Sequence, residues 1–268
     1  MQIEVFASSL GLAVVLLVAL GWKWCMGMRT VVPGALVVGV LTWAIVDTVD
    51  SLLFDLGVPG VVLLELFLIP MIPFPVIMIR FFRDPERTPS ETENVILSPA
   101  DGRVVYVKDV EKGSSLVSTK GQRQFKLGEI MATDHLSNAR YLIGIDMNIL
   151  NVHVNRAPIA GRIVMQKHIN GSFLSLRREE SEVLNERVSA VIDNGEFKVG
   201  VIQISSRLVR RIVSYLEEGD TVTIGQRIGM IKFGSQVDVA IPELDSLRVM
   251  VKPGDEVRAG VTVVARYG

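Results

Sequence analysis

An aspartate, a histidine and a serine, each set in an apolar or glycine-rich context, are the residues of this sequence best suited to proton transfer and nucleophilic attack. Asp101 lies in Ser98-Pro-Ala-Asp-Gly102, His153 in Asn151-Val-His-Val-Asn-Arg156, and Ser235 in Phe233-Gly-Ser-Gln236. A serine hydroxyl becomes a useful nucleophile when a base takes its proton and a carboxylate supports that base. Each residue alone also has an ordinary role open to it. Asp101-Gly102 is a common turn dipeptide, His153 fits the inward side of an alternating strand, and Gly234-Ser235 could end a strand. Other chemistries are poorly served. The three histidines (His135, His153 and His168) and the single Cys25 have no zinc-ligand spacing, so no metal is expected. No G-x-S-x-G elbow is present either.

The elements that must position these residues are mostly strands. From Val95 onward, β-branched runs alternate with Gly, Pro and Asn/Asp punctuation: Gly102–Val107, Gly161–Met165, Val199–Ile204 and Val237–Ile241. Two stretches share a pattern, Gly219-Asp220-x-Val222-x-x-Gly225 and Gly254-Asp255-x-Val257-x-x-Gly260, each predicting a Gly-Asp turn before a short strand. This turn grammar suits barrel-sandwich or hybrid-motif β domains, lipoyl-type carriers included. One helix is predicted, with Ser205-Ser206 as its cap, Leu208, Val209, Ile212, Val213 and Leu216 on one face, and Gly219 at its end. Arg207, Arg210 and Arg211 would line its other side, as a solvated face or as a contact for anionic lipid or phosphate. Residues 111–125 read as a hairpin or loop, and Gly171 to Arg187 as a charged segment that could cover a site.

The chain is two materials joined. With 49% apolar residues and mean hydropathy +0.39 it is too apolar for one soluble domain, and 21% charge is too polar for a helical bundle. Residues 1–79 hold two basic residues against five acidic, a net −3, and three apolar stretches at Val5–Gly21, Val31–Val46 and Gly57–Ile79. They are read as a membrane anchor of two or three helices, the third kinked by Pro70, Pro73 and Pro75. Gln2 and Glu4 stand where a signal peptide would carry basic residues. Arg80, Arg83 and Arg87 follow the last stretch, so the positive-inside rule puts residues 80–268 in the cytoplasm of a multi-pass cell-membrane protein. That portion carries 26 basic against 24 acidic residues, a balance that argues against a nucleic-acid partner. The fold class is thus α+β: transmembrane helices followed by a β-rich barrel- or sandwich-like (hybrid-motif) domain.

Ordered motifs through residues 80–242 give the chain a resemblance to the phosphatidylserine decarboxylase family, in its short prokaryotic and archaeal form. They are Arg80-Phe-Phe-Arg-Asp-Pro-Glu-Arg87, Ser98-Pro-Ala-Asp-Gly102, Val152-His-Val-Asn-Arg-Ala-Pro158, Asn185-Glu-Arg187 and Gly225-Gln-Arg-Ile-Gly-Met-Ile-Lys-Phe-Gly-Ser235. The resemblance implies a proenzyme that cuts itself between Gly234 and Ser235 and turns Ser235 into a covalent pyruvoyl group. It makes His153 the base and Asp101 the carboxylate that orients it or stabilises its charged form. A serine phospholipid would then form a Schiff base on the pyruvoyl, lose CO₂ and leave as the ethanolamine phospholipid. Residues 1–234 and the small chain from 235 would stay associated, with a homo-oligomer left open.

This sequence departs from longer bacterial members of the family, which carry Leu-Gly-Ser-Thr at the cut and a second histidine three residues before the base. Here those positions hold Phe233-Gly-Ser-Gln236 and Leu150, so the second histidine's role does not carry over. Asn155 and Arg156 are candidates for holding a substrate carboxylate or phosphate, Arg156 equally for an internal structural role. The rival from another class is a non-enzymatic membrane adaptor or carrier with a lipoyl-like β domain. Its acceptor would have to be Lys232. A zinc peptidase of similar β architecture lacks its ligand set.

Overall fold

A computed structural model describes residues 2–24, 26–53, 55–109, 116–117, 124–125, 136, 138–171, 186–205, 212–232 and 235–268. It divides into two compact units, one of Met1–Phe82 with Asn148–Leu150, the other of Arg83–Met147 with Asn151–Gly268.

The first unit is helical: α1 (Gln2–Lys23), α2 (Met28–Thr48) continued by a π-helical turn over Val49–Leu53, α3 (Gly57–Met71) and α4 (Phe74–Phe81). The break between α3 and α4 falls at Ile72-Pro73, within the proline-rich stretch. Three spans, Ile3–Lys23, Met28–Leu52 and Gly57–Phe81, are long and apolar enough to cross a membrane. At 1.5 Å per residue even the shortest reaches about 30 Å, the thickness of a hydrocarbon core. Small residues let α1 and α2 approach closely. A Cβ added at Gly39 would lie 3.0 Å from Leu10 Cα. Glu65, fully buried between helices, accepts hydrogen bonds from Ser8 Oγ at 2.7 Å and Ser9 Oγ at 2.6 Å.

The second unit is β throughout. In chain order its strands are β1 (Val95–Leu97), β2 (Gly102–Asp109), β3 (Leu116–Val117), β4 (Gln124–Phe125), β5 (Ala139–Met147), β6 (Val154–Arg156), β7 (Gly161–Ile169) and β8 (Arg187–Asp193). There follow β9 (Lys198–Ser205), β10 (Ile212–Ser214), β11 (Thr221–Val222), β12 (Arg227–Ile231), β13 (Ser235–Pro242), β14 (Arg248–Val249), β15 (Glu256–Val257) and β16 (Val263–Arg266). Eight of them form one sheet in the order β11-β7-β8-β9-β13-β5-β2-β15. Three-stranded sheets β1-β16-β14 and β10-β12-β6 accompany it, and β3 pairs with β4 inside the stretch read as a hairpin or loop. Alternation along the strands sends Val104, Ile143, Ile145, Val188, Ile192, Val237, Val239 and Ile241 into the main core. The opposite face carries Leu142, Val191, Ile202, Ile204 and Ala240.

The large sheet is a palindrome about the β9–β13 pair, and the repeated turns are its two ends. Thr221-Val222 pairs with Arg162-Gly161, as Glu256-Val257 pairs with Arg103-Gly102. Arg162 Nε donates to Gly219 O at 3.1 Å, and Arg103 Nε to Gly254 O at 3.0 Å. Asp220 and Asp255 each cap the turn by accepting the N–H three residues earlier. Gly102 and Gly161 are required in both copies, because a Cβ would lie 2.1 Å from Asp146 O in one and 2.4 Å from Asp193 O in the other.

The helix expected after Ser205 is corrected from Ile212 onward, 206–211 lying outside the described residues. Ile212–Ser214 is a strand paired with Ile231–Gly229 of β12, since a short β-branched run beside an open strand edge gains more from pairing than from one helical turn. Arg207, Arg210 and Arg211 lie outside the described residues, as do Cys25, His135 and 172–185 of the charged segment.

Candidate active site

The chain crosses from one sheet to another at the candidate serine. β12 ends at Ile231 in a three-stranded sheet, and β13 opens at Ser235 in the large one, while Phe233 and Gly234, the residue expected before the cut, lie outside the described residues. Ser235 is paired through its backbone with Met147 of β5 on one side and Ser205 of β9 on the other. The Ile231 N–H donates to His153 O at 3.2 Å. Four residue steps at full extension span about 14 Å, so Ser235 stays within that reach of Ile231, the residue hydrogen-bonded to His153 O.

His153 is completely buried on the approach to β6. Its Nδ1 lies 2.9 Å from Asn151 O. A carbonyl oxygen can only accept, so Nδ1 carries the proton and Nε2 carries the basic lone pair. Burial is the main cause that pushes the imidazole down from 6.5 to about 4; the Asn151 contact and the Asp101 charge oppose this, and Arg83 adds to it. At neutral pH the ring is an uncharged base.

Asp101 is held elsewhere than on the ring. Its carboxylate takes a two-pronged ion pair from Arg87, with Nη2 to Oδ2 at 2.8 Å and Nη1 to Oδ1, and accepts the Ala259 N–H at 2.8 Å. The hydrogen bond to Asp101 raises the Arg87 guanidinium's pKa. Asp101 thus acts on His153 by charge, while the Asn151 carbonyl orients the ring. Two residues beyond His153, fully buried Asn155 accepts from Gln203 Nε2 at 2.7 Å and turns Nδ2 toward Met147 Sδ at 3.9 Å. Among the described residues, no group of three or more His, Cys, Asp or Glu could hold a metal.

The family model for phosphatidylserine decarboxylase matches residues 74–265. The chain belongs to the phosphatidylserine decarboxylase family. A protein of Methanocaldococcus jannaschii named as an archaetidylserine decarboxylase proenzyme is 44% identical over 69% of this chain and 87% of its own length. The phosphatidylserine decarboxylase proenzyme of Chlorobium chlorochromatii is 41% identical over 70% of this chain and 77% of its own length. An archaetidylserine relative from Methanothermobacter thermautotrophicus is 41% identical over 71% and 80%.

Within this family member, Arg156 is spent on the protein itself. It donates to Gly225 O and Pro85 O at 2.9 Å and pairs with Asp84. Asp84 and Glu86 also hold Arg227. The Arg83–Arg87 motif is therefore a strap of mixed charge, visible in the sequence but without its partners. Arg87, Arg156, Tyr215 and Arg227 line a cleft of about 480 Å³. Its three guanidiniums are matched by Asp84, Glu86 and Asp101, which makes it no preformed anion trap. Lys232 lies on the link between sheets and not at a hairpin tip, so the decarboxylase-family chain lacks the presentation that a carrier lysine needs. Sequence reasoning missed Gln203. The available signal was one polar side chain inside the run Val199-Gly-Val-Ile-Gln-Ile204.

Proposed function

We propose that the protein is a self-processing decarboxylase that converts a serine phospholipid to the ethanolamine phospholipid, using a pyruvoyl group made from its own Ser235. The observation that carries this reading is the position of Ser235: first residue of a central strand, four residues past the backbone bond that ties β12 to a buried, neutral His153.

In the first stage His153 Nε2 accepts the Ser235 hydroxyl proton as Oγ attacks the Gly234 carbonyl carbon. The carbonyl π pair becomes an oxyanion. Its collapse breaks the C–N bond, the Ser235 nitrogen takes a proton, and an ester joins Gly234 to Oγ. Loss of the Ser235 Cα proton then expels the Gly234 carboxylate and leaves a dehydroalanine. Its imine tautomer takes up water and releases ammonia, giving a pyruvoyl-capped small chain of residues 235–268. The negative charge of Asp101 favours the protonated imidazole during these transfers.

The site fits such a group, because Asn155 Nδ2 is a buried donor facing the thioether of Met147, the strand partner of Ser235. The pyruvoyl group supplies an electron sink for the pair released when CO₂ leaves the substrate. In this reading His153 Nε2 returns a proton, and apolar surroundings keep water from the carboxylate. The names of relatives divide between phosphatidylserine and archaetidylserine, and both share the serine headgroup. Arg156 fastens the strap in this reading and leaves headgroup binding to others.

β13 is hydrogen-bonded on both sides, which supports lasting association of the two chains after the cut. The paired Gly-Arg and Gly-Asp corners support a hybrid-motif domain. The arginines at 80, 83 and 87 support three spans with the β unit on the cytoplasmic side.

The test is intact mass of the detergent-purified protein under denaturing conditions, followed by turnover. The expected result is a large chain ending at Gly234 and a small chain without a free amine. The processed enzyme should decarboxylate a serine phospholipid in mixed micelles and use free serine poorly. An uncut wild-type chain would remove the proposal.

A further inference from the structure

We propose that Asn155, clamped by Gln203, is the oxyanion donor of self-cleavage: its Nδ2–H stabilises the negative charge that develops on the Gly234 carbonyl oxygen. This rests on the self-processing reading and adds a residue to its machinery.

Asn155 is fully buried, and its side chain is held one way round. Oδ1 accepts from Gln203 Nε2 at 2.7 Å, so Nδ2 points away from Gln203 and toward Met147. There its partner is a thioether sulfur at 3.9 Å, a weak acceptor for a group that carries two N–H donors. A buried amide that trades water for sulfur is poorly satisfied until a stronger acceptor arrives.

Register pairs Ser235 with the residue that carries this sulfur. Met147 is the strand partner of Ser235, and the scissile carbonyl belongs to the residue bonded directly to the Ser235 nitrogen. Gln203 is on β9, opposite Val237 and two residues along from the Ser205–Ser235 pair. The clamp has room because the residue opposite Asn155 on β12 is Gly229, where an added Cβ would sit 3.1 Å from Gln203 Nε2 and 2.7 Å from Val213 O. Two strands and a required glycine therefore fix one amide against Met147, the strand partner of Ser235. A pre-set donor of this kind needs no reorganisation as charge appears.

The experiment follows appearance of the small chain by denaturing mass spectrometry in freshly synthesised full-length protein. Asn155→Leu should slow cleavage about 10²- to 10³-fold, the usual loss for one such donor. Asn155→Asp keeps the Gln203 contact but donates only when protonated, so its rate should rise as pH falls from 9 to 5, opposite in slope to any loss of base in the wild type. Gln203→Met should slow cleavage about tenfold by releasing the amide. Hydroxylamine, which cuts esters, should release no small chain from Asn155→Leu, because the block precedes the acyl shift. The assignment is overturned by an Asn155→Leu chain within threefold of wild type, or by ester trapped in it with hydroxylamine. It is equally overturned by an Asn155→Asp chain with the wild-type pH slope or with no cleavage at any pH. The Asp arm decides if the Leu variant fails to fold. An uncut wild type would instead sink the self-processing reading itself.

Discussion

Lowering the pH from 7 to 5 should cost the β unit about 2 kcal/mol through His153 alone. The folded imidazole titrates at about 4 and an unconstrained one at 6.5. Between those values the unfolded chain takes up a proton that the native chain refuses, so stability falls with pH. The loss begins near 6.5 and is complete below 4, where it reaches roughly 3.4 kcal/mol at 1.36 kcal/mol per pH unit. Denaturant unfolding of Ser235→Ala protein, which stays one chain, would be compared with Ser235→Ala/His153→Gln at both pH values in micelles. Tryptophan fluorescence is the wrong probe, because Trp22, Trp24 and Trp43 all lie in the helical unit. Amide exchange or the β circular-dichroism band reads the right one. The stability difference between the two proteins should change by about 2 kcal/mol from pH 7 to 5. An unchanged difference, or an imidazole resonance titrating near 6.5, would refute the burial argument. The same shift keeps about 90% of His153 neutral at pH 5, so processing should persist there, against about 3% for an unperturbed ring.

Arg87→Met leaves the buried Asp101 carboxylate with the Ala259 N–H alone and should destabilise the β unit by roughly 3–5 kcal/mol; a loss under 1 kcal/mol in denaturant unfolding would contradict the buried pair. Gly144→Ala places a Cβ 2.4 Å from the Tyr106 ring, which lies across that glycine to donate its hydroxyl to Asp238 at 2.6 Å. A cost of about 1–3 kcal/mol is expected, and Gly144→Ala with Tyr106→Phe should cost less than the sum of the singles, since both break one contact; strict additivity would speak against it. In the helical unit, Glu65→Leu should weaken helix association by about 1 kcal/mol, measured by unfolding in mixed micelles, and Glu65→Gln should weaken it less, because the amide oxygen still accepts from Ser8 and Ser9.

What the sequence revealed followed from period and punctuation. The strands at 102, 161, 199 and 237 were legible because β-branched runs ended at glycines, and the paired Gly-Asp turns were legible as a repeat. Their meaning, two ends of one palindromic sheet, needed the pairing partners, which are remote in the chain. The helix after Ser205 failed because Ile212, Val213 and Leu216 satisfy a helical spacing as well as a short strand does. At the site, Asp101 and His153 stood out as polar residues in apolar settings. Arg87 and Gln203 did not, since a guanidinium in a charged motif and a lone amide in a strand are meaningful only through Asp101 and Asn155, 14 and 48 positions away.

The inner half of the palindrome, β7 to β11, is one contiguous stretch, whereas the outer half takes β2 and β5 from before it and β13 and β15 from after it. Local pairings can close the inner half early. The outer half waits on remote partners, Met147 and Ser235 being 88 positions apart, and such long-range pairings form late. Ser235 finds its neighbours only once β9 exists to receive β13. On the proposed reading, a chain that never completes that pairing would keep its Gly234–Ser235 bond and remain a precursor, and self-cleavage would then double as a proofreading mark, a record that the sheet has closed.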